Sequence, residues 1–362
     1  MLQVLPDNAI WLKDSVEHFC PADNMVILES GASVEYEFMV ISMGLKPNFK
    51  GICGLKTALN DYDNVSTIYS EKYAVKTYEC FQNFKRGTAV FSAPAGPIPY
   101  AAATLEIAYF ASNYFRNRKQ LNDVTIVYAN ANDALFPVDL YEDAVHRIAE
   151  KLNVCVQFGV NLVRIIPENN KAVFACTRAP ENTTCLKYSF LHVCTPMEPP
   201  DALKKSKNLM TTGKFVDVDK RTLQHRKFTN VFALGDCASL PTSKTVGAIS
   251  VQSYVVFKNL MNAMEGKDIE PMYDGYTASP IFTGYDSLML AEFDYDKEPR
   301  PTFPFNIDKE KAWLFHLQYT VMPYIYWNYM LKGTWDGPET FRKIFHLEFL
   351  RLRKESAYLG CK

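Results

Sequence analysis

This chain of 362 residues lacks three features that would point to broad classes of protein. It has no apolar run of the roughly 18 to 20 residues that a helix needs to cross a bilayer. Its lysines and arginines are dispersed and its formal net charge is −1, so nothing favours nucleic-acid binding. None of its nine cysteines forms a Cys-x-x-Cys pair, and its six histidines have no ligand spacing. The sequence therefore predicts no metal site.

The chain also lacks the Gly-x-Gly-x-x-Gly turn that grips the pyrophosphate of a dinucleotide. Residues 75–200 alternate strand and helix patterns, and their first strand-to-helix turn holds only Gly96 among three prolines, Pro94, Pro97 and Pro99. A nicotinamide dinucleotide needs glycines in that turn, because its phosphates approach the backbone closely. The sequence therefore argues against NAD(P) binding.

One stretch is informative by its presence, the run from Asn230 to Thr245. Its apolar residues predict a short buried strand that ends in Gly235-Asp236, which puts a carboxylate at the edge where α/β sheets bind ligands. Residues Val246 to Met264 then predict a helix whose first amides point back at that edge. Such a carboxylate accepts hydrogen bonds from a ribityl hydroxyl, and such amides stabilise charge on a reduced flavin. The run is typical of a flavin site, although a strand-turn with a capping Asp is the simpler interpretation.

Aromatic residues crowd the segment from Trp313 to Gly333, which predicts two short helices split by Pro323. Because Trp and Tyr prefer the membrane–water interface, we predict an interfacial hairpin here, with a tyrosine-rich packing helix as the alternative. Basic residues flank it and could meet anionic headgroups or form a solvated face: Lys332, Arg342, Lys343, Arg351, Arg353 and Lys354.

Five blocks of sequence, in the same order along the chain, resemble the sulfide:quinone oxidoreductase family of the mitochondrial animal type. They are Tyr36-Glu-Phe-Met-Val-Ile-Ser-Met-Gly44, Pro94-Ala-Gly-Pro-Ile-Pro-Tyr100, Val216-Asp-Val-Asp-Lys-Arg-Thr-Leu-Gln-His-Arg226, the run from Asn230 to Thr245, and Tyr273-Asp-Gly-Tyr-Thr-Ala-Ser-Pro280 with Thr283-Gly-Tyr285. The resemblance spans almost the whole chain. It implies a monotopic flavoprotein of the mitochondrial inner membrane.

The resemblance also implies the fold, an α/β chain with two Rossmann-like domains of the FAD-dependent pyridine nucleotide-disulfide reductase type. Residues 1–74 would be a remnant of the FAD-binding domain and residues 75–200 the second Rossmann-like domain. Residues 201–270 would return to the FAD-binding domain, and residues 271–362 would form a quinone- and membrane-associating region. Compared with the family, about a hundred residues with the first βαβ unit would be missing, judged from usual unit sizes.

The partners implied by the resemblance are FAD, ubiquinone, sulfide or another small electron donor, and a membrane surface. Gly44, Gly235, Asp236, Lys244 and Thr245 would then contact the flavin. The lysine would favour an anionic reduced cofactor, with a solvated loop lysine as the alternative. Thr245 and Gln252, at the start and on one face of the following helix, would line the quinone side.

Two substitutions separate this chain from the family's sulfur chemistry. In the family that this chain resembles, sulfide attacks a disulfide-type centre of two cysteines, and those positions hold Tyr100 and Ser279 here. A phenol and a hydroxyl hold no bridging sulfur, so the family mechanism is doubtful in this chain. Cys194 and Cys237 are the cysteines expected nearest the cofactor, but free cysteine is more often a small buried hydrophobe.

Three functions stay open from the sequence. The first is a sulfide:quinone oxidoreductase-like flavoprotein that passes electrons through FAD to ubiquinone. The second is a catalytically inactive paralogue that acts as a binding protein. The third is a flavin-dependent quinone reductase with another donor.

Overall fold

The structure, a computed structural model, describes residues 5–6, 8–212, 214–305, 308–335 and 337–345. The strands are β1 Val16–Cys20, β2 Met25–Leu28, β3 Ser33–Glu35, β4 Met39–Ile41, β5 Lys46–Pro47, β6 Val65–Ser66, β7 Gly87–Ala93, β8 Val124–Asn130, β9 Val154–Phe158, β10 Val160–Ile166, β11 Lys171–Cys176, β12 Thr183–Lys187, β13 Phe190–Val193, β14 Met197–Glu198, β15 Val231–Ala233, β16 Thr277–Phe282 and β17 Leu288–Phe293. The α-helices are α1 Leu55–Asp61, α2 Glu71–Asn83, α3 Ala103–Asn117, α4 Asp139–Lys151, α5 Asp201–Lys205, α6 Val246–Met264, α7 Ala312–His316, α8 Met322–Asn328 and α9 Glu339–Phe345.

The largest sheet is parallel and has five strands in the order β6-β13-β7-β8-β9. Its central strand β7 is a nearly continuous apolar run with buried side chains on both faces, as a sheet covered on both sides requires. Helices α3 and α4 pack on one face and share a core with β16 and β17. Helix α1 and the antiparallel sheet β10-β11-β12 cover the other face. The predicted α/β class with alternating strands and helices is confirmed.

A second parallel pair joins distant parts of the chain, because β15 pairs with β4 in the register Ile41 to Ala233. Helix α6 packs against this pair, and its bounds match the predicted helix from Val246 to Met264. The pairing brings residues before 74 together with residues after 200. The domain limits at residues 74, 200 and 270 stay predictions.

The aromatic segment differs from its prediction, because Pro323 does not split it. Helix α7 runs through a π-helical stretch, Leu317–Val321, directly into helix α8. Pro323 lies in the first turn of α8 and has no amide hydrogen to donate to the preceding stretch. The wider π turn before it is the local adjustment that lets one helix continue.

Buried and exposed side chains alternate around this continuous helix. Leu314 and Ile325 face the protein interior. Five aromatic side chains face outward with exposed fractions from 38% to 70%: Trp313, Tyr319, Tyr324, Tyr326 and Trp327. Among the residues described, no helix combines the length and apolarity needed to span a bilayer. Arg351, Arg353 and Lys354, predicted to flank the segment, lie outside the described residues.

Candidate functional site

The carboxyl ends of β4 and β15 lie side by side, and a glycine with a positive φ angle follows each strand. Gly44 has φ +66° and Gly235 has φ +73°, a conformation that glycine adopts without strain. A Cβ atom added at Gly44 would meet nothing within 4 Å, so open space adjoins this edge. Asp236 follows in a short 3₁₀ turn, Gly235–Cys237. The edge of this parallel pair therefore offers room for a ligand and a carboxylate beside it.

Asp236 and Lys244 lie near enough at this edge for the charge of each to influence the other. Burial raises the pKa of the Asp236 carboxyl, and the nearby Lys244 ammonium opposes that rise. Lys244 is 8% exposed, donates to the carbonyl of Ala238 at 3.1 Å and lies 4.7 Å from the ring centroid of Phe215. Burial lowers the pKa of Lys244, and Asp236 opposes that change. The alternative of a solvated loop lysine is thus wrong, because this ammonium is held inside the protein.

The N-terminus of α6 is fixed by side-chain hydrogen bonds. Thr245 caps the helix by accepting from the amide of Ala248 at 3.1 Å, and its hydroxyl also bonds the Thr277 hydroxyl at 2.9 Å. Gln252 accepts from the Gly235 amide at 2.8 Å. These bonds tie the helix to both β15 and β16. The first turn of α6 is therefore a rigid wall of the site.

A cavity of about 420 Å³ opens in front of this wall. Its polar lining includes Tyr100, Asp236, Lys244, Thr245, Tyr276, Glu292 and Thr302. Its apolar lining comes from β16, β17 and the C-terminal helices, and includes Phe282, Leu290, Phe303, Leu317, Met322, Met330, Trp335 and Phe341. A mostly apolar cavity with a few convergent polar groups is the usual form of a small-molecule site.

Tyr100 occupies a fixed position in the cavity wall. Its φ angle is +46°, and its amide donates to the carbonyl of Lys244 at 2.8 Å. Its phenol oxygen lies 2.5 Å from Oε1 of Glu106 and also contacts the carbonyl oxygen of Pro280. The same Oε1 accepts from the Phe282 amide at 2.9 Å. Burial raises the pKa of Glu106 to about 7.

A second buried carboxyl, Glu292, lines the cavity directly. It accepts from the Tyr276 hydroxyl at 2.5 Å, from the Thr302 amide at 2.7 Å and from the Thr302 hydroxyl. Burial raises the pKa of Glu292, and these donors together with Arg342 oppose the rise. Arg342 lies 4.9 Å from the ring centroid of Tyr276. The environment of this carboxyl is therefore rich in donors.

The cavity brings together four of the predicted site residues, Tyr100, Asp236, Lys244 and Thr245, and Gly44 lies at the adjacent strand edge. Ser279 is not among the lining residues. Its neighbours Ala278 and Pro280 line the cavity, so strand alternation turns Ser279 towards the buried face of β16. The phenol of Tyr100 reaches only the backbone beside Ser279. The two positions of the family's thiols are thus close in the chain trace, but their side chains do not share the cavity.

The two cysteines expected near the cofactor are buried and lie outside the lining of this cavity. Cys194 and Cys237 are each 1% exposed. Burial raises the pKa of Cys194 to about 12 and also raises the pKa of Cys237. Both are therefore neutral thiols at physiological pH, which makes them poor nucleophiles.

Glu106 and Glu292 were missed in the sequence. Each is a lone acid within an apolar stretch, Leu105-Glu-Ile-Ala108 in α3 and Met289-Leu-Ala-Glu-Phe293 in β17. A charge at a core position is the signal that could have found them, since acids are rarely buried without a partner. Their partners Tyr100, Tyr276 and Thr302 lie outside the helix or strand that carries each acid, so the local pattern gives no role for either acid.

Comparisons with known proteins agree with this geometry. A family described as pyridine nucleotide-disulphide oxidoreductase matches residues 102–265. The mitochondrial sulfide:quinone oxidoreductase of Mus musculus is 38% identical over 96% of this chain and 76% of its own length. The sulfide:quinone oxidoreductase structure from Aquifex aeolicus has a TM-score of 0.73 at 18% identity, covering 93% of this chain and 78% of that one.

A further solved structure is similar over most of this chain. A chain in the cryo-EM structure of the Tetrahymena thermophila mitochondrial ATP synthase has a TM-score of 0.75 at 25% identity. The match covers 94% of this chain and 81% of that one.

The parallel sheets, the glycine turns at their carboxyl edges and the matched segment define the fold of the pyridine nucleotide-disulphide oxidoreductases. The identity to the mouse protein then narrows the class. This chain belongs to the sulfide:quinone oxidoreductase family.

Proposed function

We propose that this chain is a sulfide:quinone oxidoreductase-like flavoprotein that holds FAD at the carboxyl edges of β4 and β15. Gly44, Gly235, Asp236, Lys244 and Thr245 would hold the flavin end of the cofactor. The open space beside Gly44 and the capped N-terminus of α6 fit such a group. When bound, FAD would supply two-electron transfer. We also propose the domain limits predicted from the sequence, residues 1–74, 75–200, 201–270 and 271–362.

The electron acceptor proposed is ubiquinone, bound in the cavity of about 420 Å³. The single observation that carries this proposal is the form of that cavity. Its polar wall contains Lys244 and Tyr100, and its apolar wall is built from the aromatic C-terminal region. A lipid quinone has the same division between a polar head and an apolar tail. Gln252, predicted to line the quinone side, instead bonds Gly235 and the Tyr273 hydroxyl and would act through the helix wall.

The relatives are named for sulfide, and we propose sulfide as an electron donor of this chain with one departure from the family. The disulfide route of the family needs thiols where this chain has Tyr100 and Ser279. Tyr100 is bound to Glu106 and the backbone of Pro280, and Ser279 faces away from the cavity. We infer that the quinone half of the reaction is retained and that sulfide, or another small donor, reduces the flavin without a protein disulfide.

The membrane surface proposed for this chain is the mitochondrial inner membrane, since the mouse relative is named mitochondrial. The exposed aromatic face of the helix from Ala312 to Asn328 supports an interfacial contact. The buried face of the same helix lines the cavity through Leu317 and Met322. A quinone tail would thus lie between this helix and the protein core.

A second candidate function is a binding protein without catalysis. The observation that favours it is the similarity to a chain in the Tetrahymena mitochondrial ATP synthase structure, together with the two replaced thiols. In this alternative the fold is kept for assembly, and the cavity holds a quinone or lipid without redox turnover.

The visible absorption spectrum of the chain purified from membranes distinguishes the two candidates. A flavin spectrum at close to one flavin per chain, bleached by a donor and restored by a ubiquinone analogue, is the result expected for the oxidoreductase. Purified chain without flavin, or with flavin that no donor bleaches in the presence of the quinone, would favour the binding protein. The bleaching of the flavin by sulfide and by other small donors is compared under the same conditions.

A further inference from the structure

The two contacts of the Tyr100 phenol oxygen require two hydrogens, and the usual protonation states of Tyr100 and Glu106 supply only one. Two oxygen-to-oxygen contacts meet at the phenol oxygen, one to Oε1 of Glu106 and one to the carbonyl oxygen of Pro280. Each close contact between two oxygens requires a hydrogen between them. A carbonyl oxygen supplies none, and an ionised carboxylate supplies none. The phenol supplies one, so the second must belong to Glu106.

The only arrangement that satisfies both contacts has the phenol donating to Pro280 and the acid of Glu106 donating to the phenol oxygen. The Phe282 amide then donates to a remaining lone pair on Oε1 at 2.9 Å. Glu106 is 7% exposed, and the neutral form of a carboxyl is the form that burial favours. The titratable groups that face it are Tyr100 from the turn and Tyr109 from its own helix α3, with Tyr69 behind Tyr100.

We propose that Glu106 carries a transferable proton at neutral pH and that Tyr100 relays it to the quinone cavity. The proposal rests on the function proposed above. Tyr100 lines the cavity and Glu106 does not, so Glu106 acts through the phenol as a positioning and proton-holding residue. The contrast with Glu292, whose three donors satisfy an ionised carboxylate, makes Glu106 the proton-holding acid beside this cavity.

The relay supplies one of the two protons that are needed to form the quinol. After the quinone has received two electrons in the flavin-dependent reaction, the O–H bond of Tyr100 breaks and its proton moves to a quinone oxygen. The O–H bond of Glu106 breaks in turn, and its proton restores the phenol. Solvent water supplies the second proton and afterwards reprotonates Glu106.

Infrared spectroscopy of the full chain tests the proton directly and requires no flavin. At about pH 6 we expect the carbonyl band of a protonated carboxylic acid, and we expect it to fade as the pH rises through about 7. The band should be absent in Glu106→Gln and present in the matched control Glu292→Gln. Absence of the band in the unsubstituted chain, or its survival in Glu106→Gln, would overturn the proposal.

The link to the cavity is tested by adding a ubiquinone analogue to the same sample. Binding should shift the Glu106 band in the unsubstituted chain, because the phenol exchanges a hydrogen bond with the quinone. The shift should be lost in Tyr100→Phe, which keeps the ring and removes the hydroxyl. A band that the quinone does not move, or that moves equally in Tyr100→Phe, would overturn the relay.

A kinetic measurement separates failure of the relay from failure of the proposed function. In chain that holds flavin, Glu106→Gln should lower quinone reduction about a hundredfold with unchanged quinone affinity, the usual scale of lost acid catalysis. The decline of rate above about pH 7 should disappear in the variant. Equal rates in both proteins would overturn the relay. Absence of flavin would instead overturn the proposed function, while the infrared result still decides the proton.

Discussion

Two buried glutamates beside one cavity show how local partners, more than burial, determine the state of a carboxyl group. Glu106 and Glu292 are 7% and 3% exposed, and burial raises the pKa of both. Glu106 meets one backbone donor and a phenol whose hydrogen is donated to Pro280. Glu292 meets three donors and lies near Arg342. Equal burial therefore produces a proton-holding acid at one place and a hydrogen-bonded carboxylate at the other.

The largest expected effect is a pH dependence of stability that comes from Glu106. Its folded pKa of about 7 lies above the unfolded value, so the folded protein binds more protons between about pH 4 and 7. The stabilising contribution is full below about pH 4 and is lost as the pH rises through about 7, an effect of about 3 kcal/mol. Urea unfolding at about pH 5 and 8 measures it, and Glu106→Gln should reduce the difference. If the unfolding free energies at the two pH values differed by the same amount in Glu106→Gln, Glu106 would not be the source of the pH dependence.

The next effect in size belongs to Glu292. In Glu292→Gln, the amide oxygen still accepts hydroxyl hydrogens, but the new NH2 group meets the Thr302 amide, which loses its acceptor. A buried donor left without an acceptor lowers the free energy of unfolding by about 2 kcal/mol. The measurement is urea unfolding at about pH 8, where Glu106→Gln serves as the partner variant and should cost less. Equal losses of unfolding free energy in the two variants would mean that Glu106 and Glu292 do not differ in their hydrogen-bonded state.

Removing the hydrogen bonds of the neutral Thr245 hydroxyl should lower the free energy of unfolding by less than the change at either carboxyl. Thr245→Ala removes the cap of α6 and the bond to Thr277, and we expect a loss of about 1 kcal/mol in thermal or urea unfolding. Thr245→Ser keeps the hydroxyl and should lose much less. If Thr245→Ser were as unstable as Thr245→Ala, the effect would come from the lost methyl group and not from the cap.

The smallest effect on stability is expected outside the cavity, on the exposed aromatic face. Tyr319 and Tyr324 are 70% and 60% exposed, so Tyr319→Ser with Tyr324→Ser should change the unfolding free energy by about 0.5 kcal/mol or less. Flotation with vesicles that contain anionic lipid should nevertheless show weaker binding, because both rings favour the membrane interface. Unchanged flotation would contradict an interfacial role for this face. Tyr141→Phe, in the buried core, is the control that should leave flotation unchanged.

Local pattern in the sequence was sufficient for much of the fold. The helix from Val246 to Met264 was predicted with its observed bounds, and the strand before Gly235-Asp236 was predicted because a short apolar run that ends in a turn has few alternatives. The family resemblance also indicated which residues lie near the flavin edge, and four of them line one cavity. The roles of these residues stay predictions. The continuity of helix from Ala312 to Asn328 was not predicted, because no sequence pattern indicates the π turn before Pro323.

The sequence by itself determined the α/β class, the position of the main helices and strands, and the absence of thiols at Tyr100 and Ser279. These features depend on residues close together in the chain. Only the tertiary structure decided that Ser279 turns away from the cavity and that Tyr100 meets both Glu106 and Pro280. Strand alternation and a contact across 180 residues fix those positions. Protonation follows the same rule, because the hydrogen of a buried acid depends on neighbours that only folding brings within bonding distance.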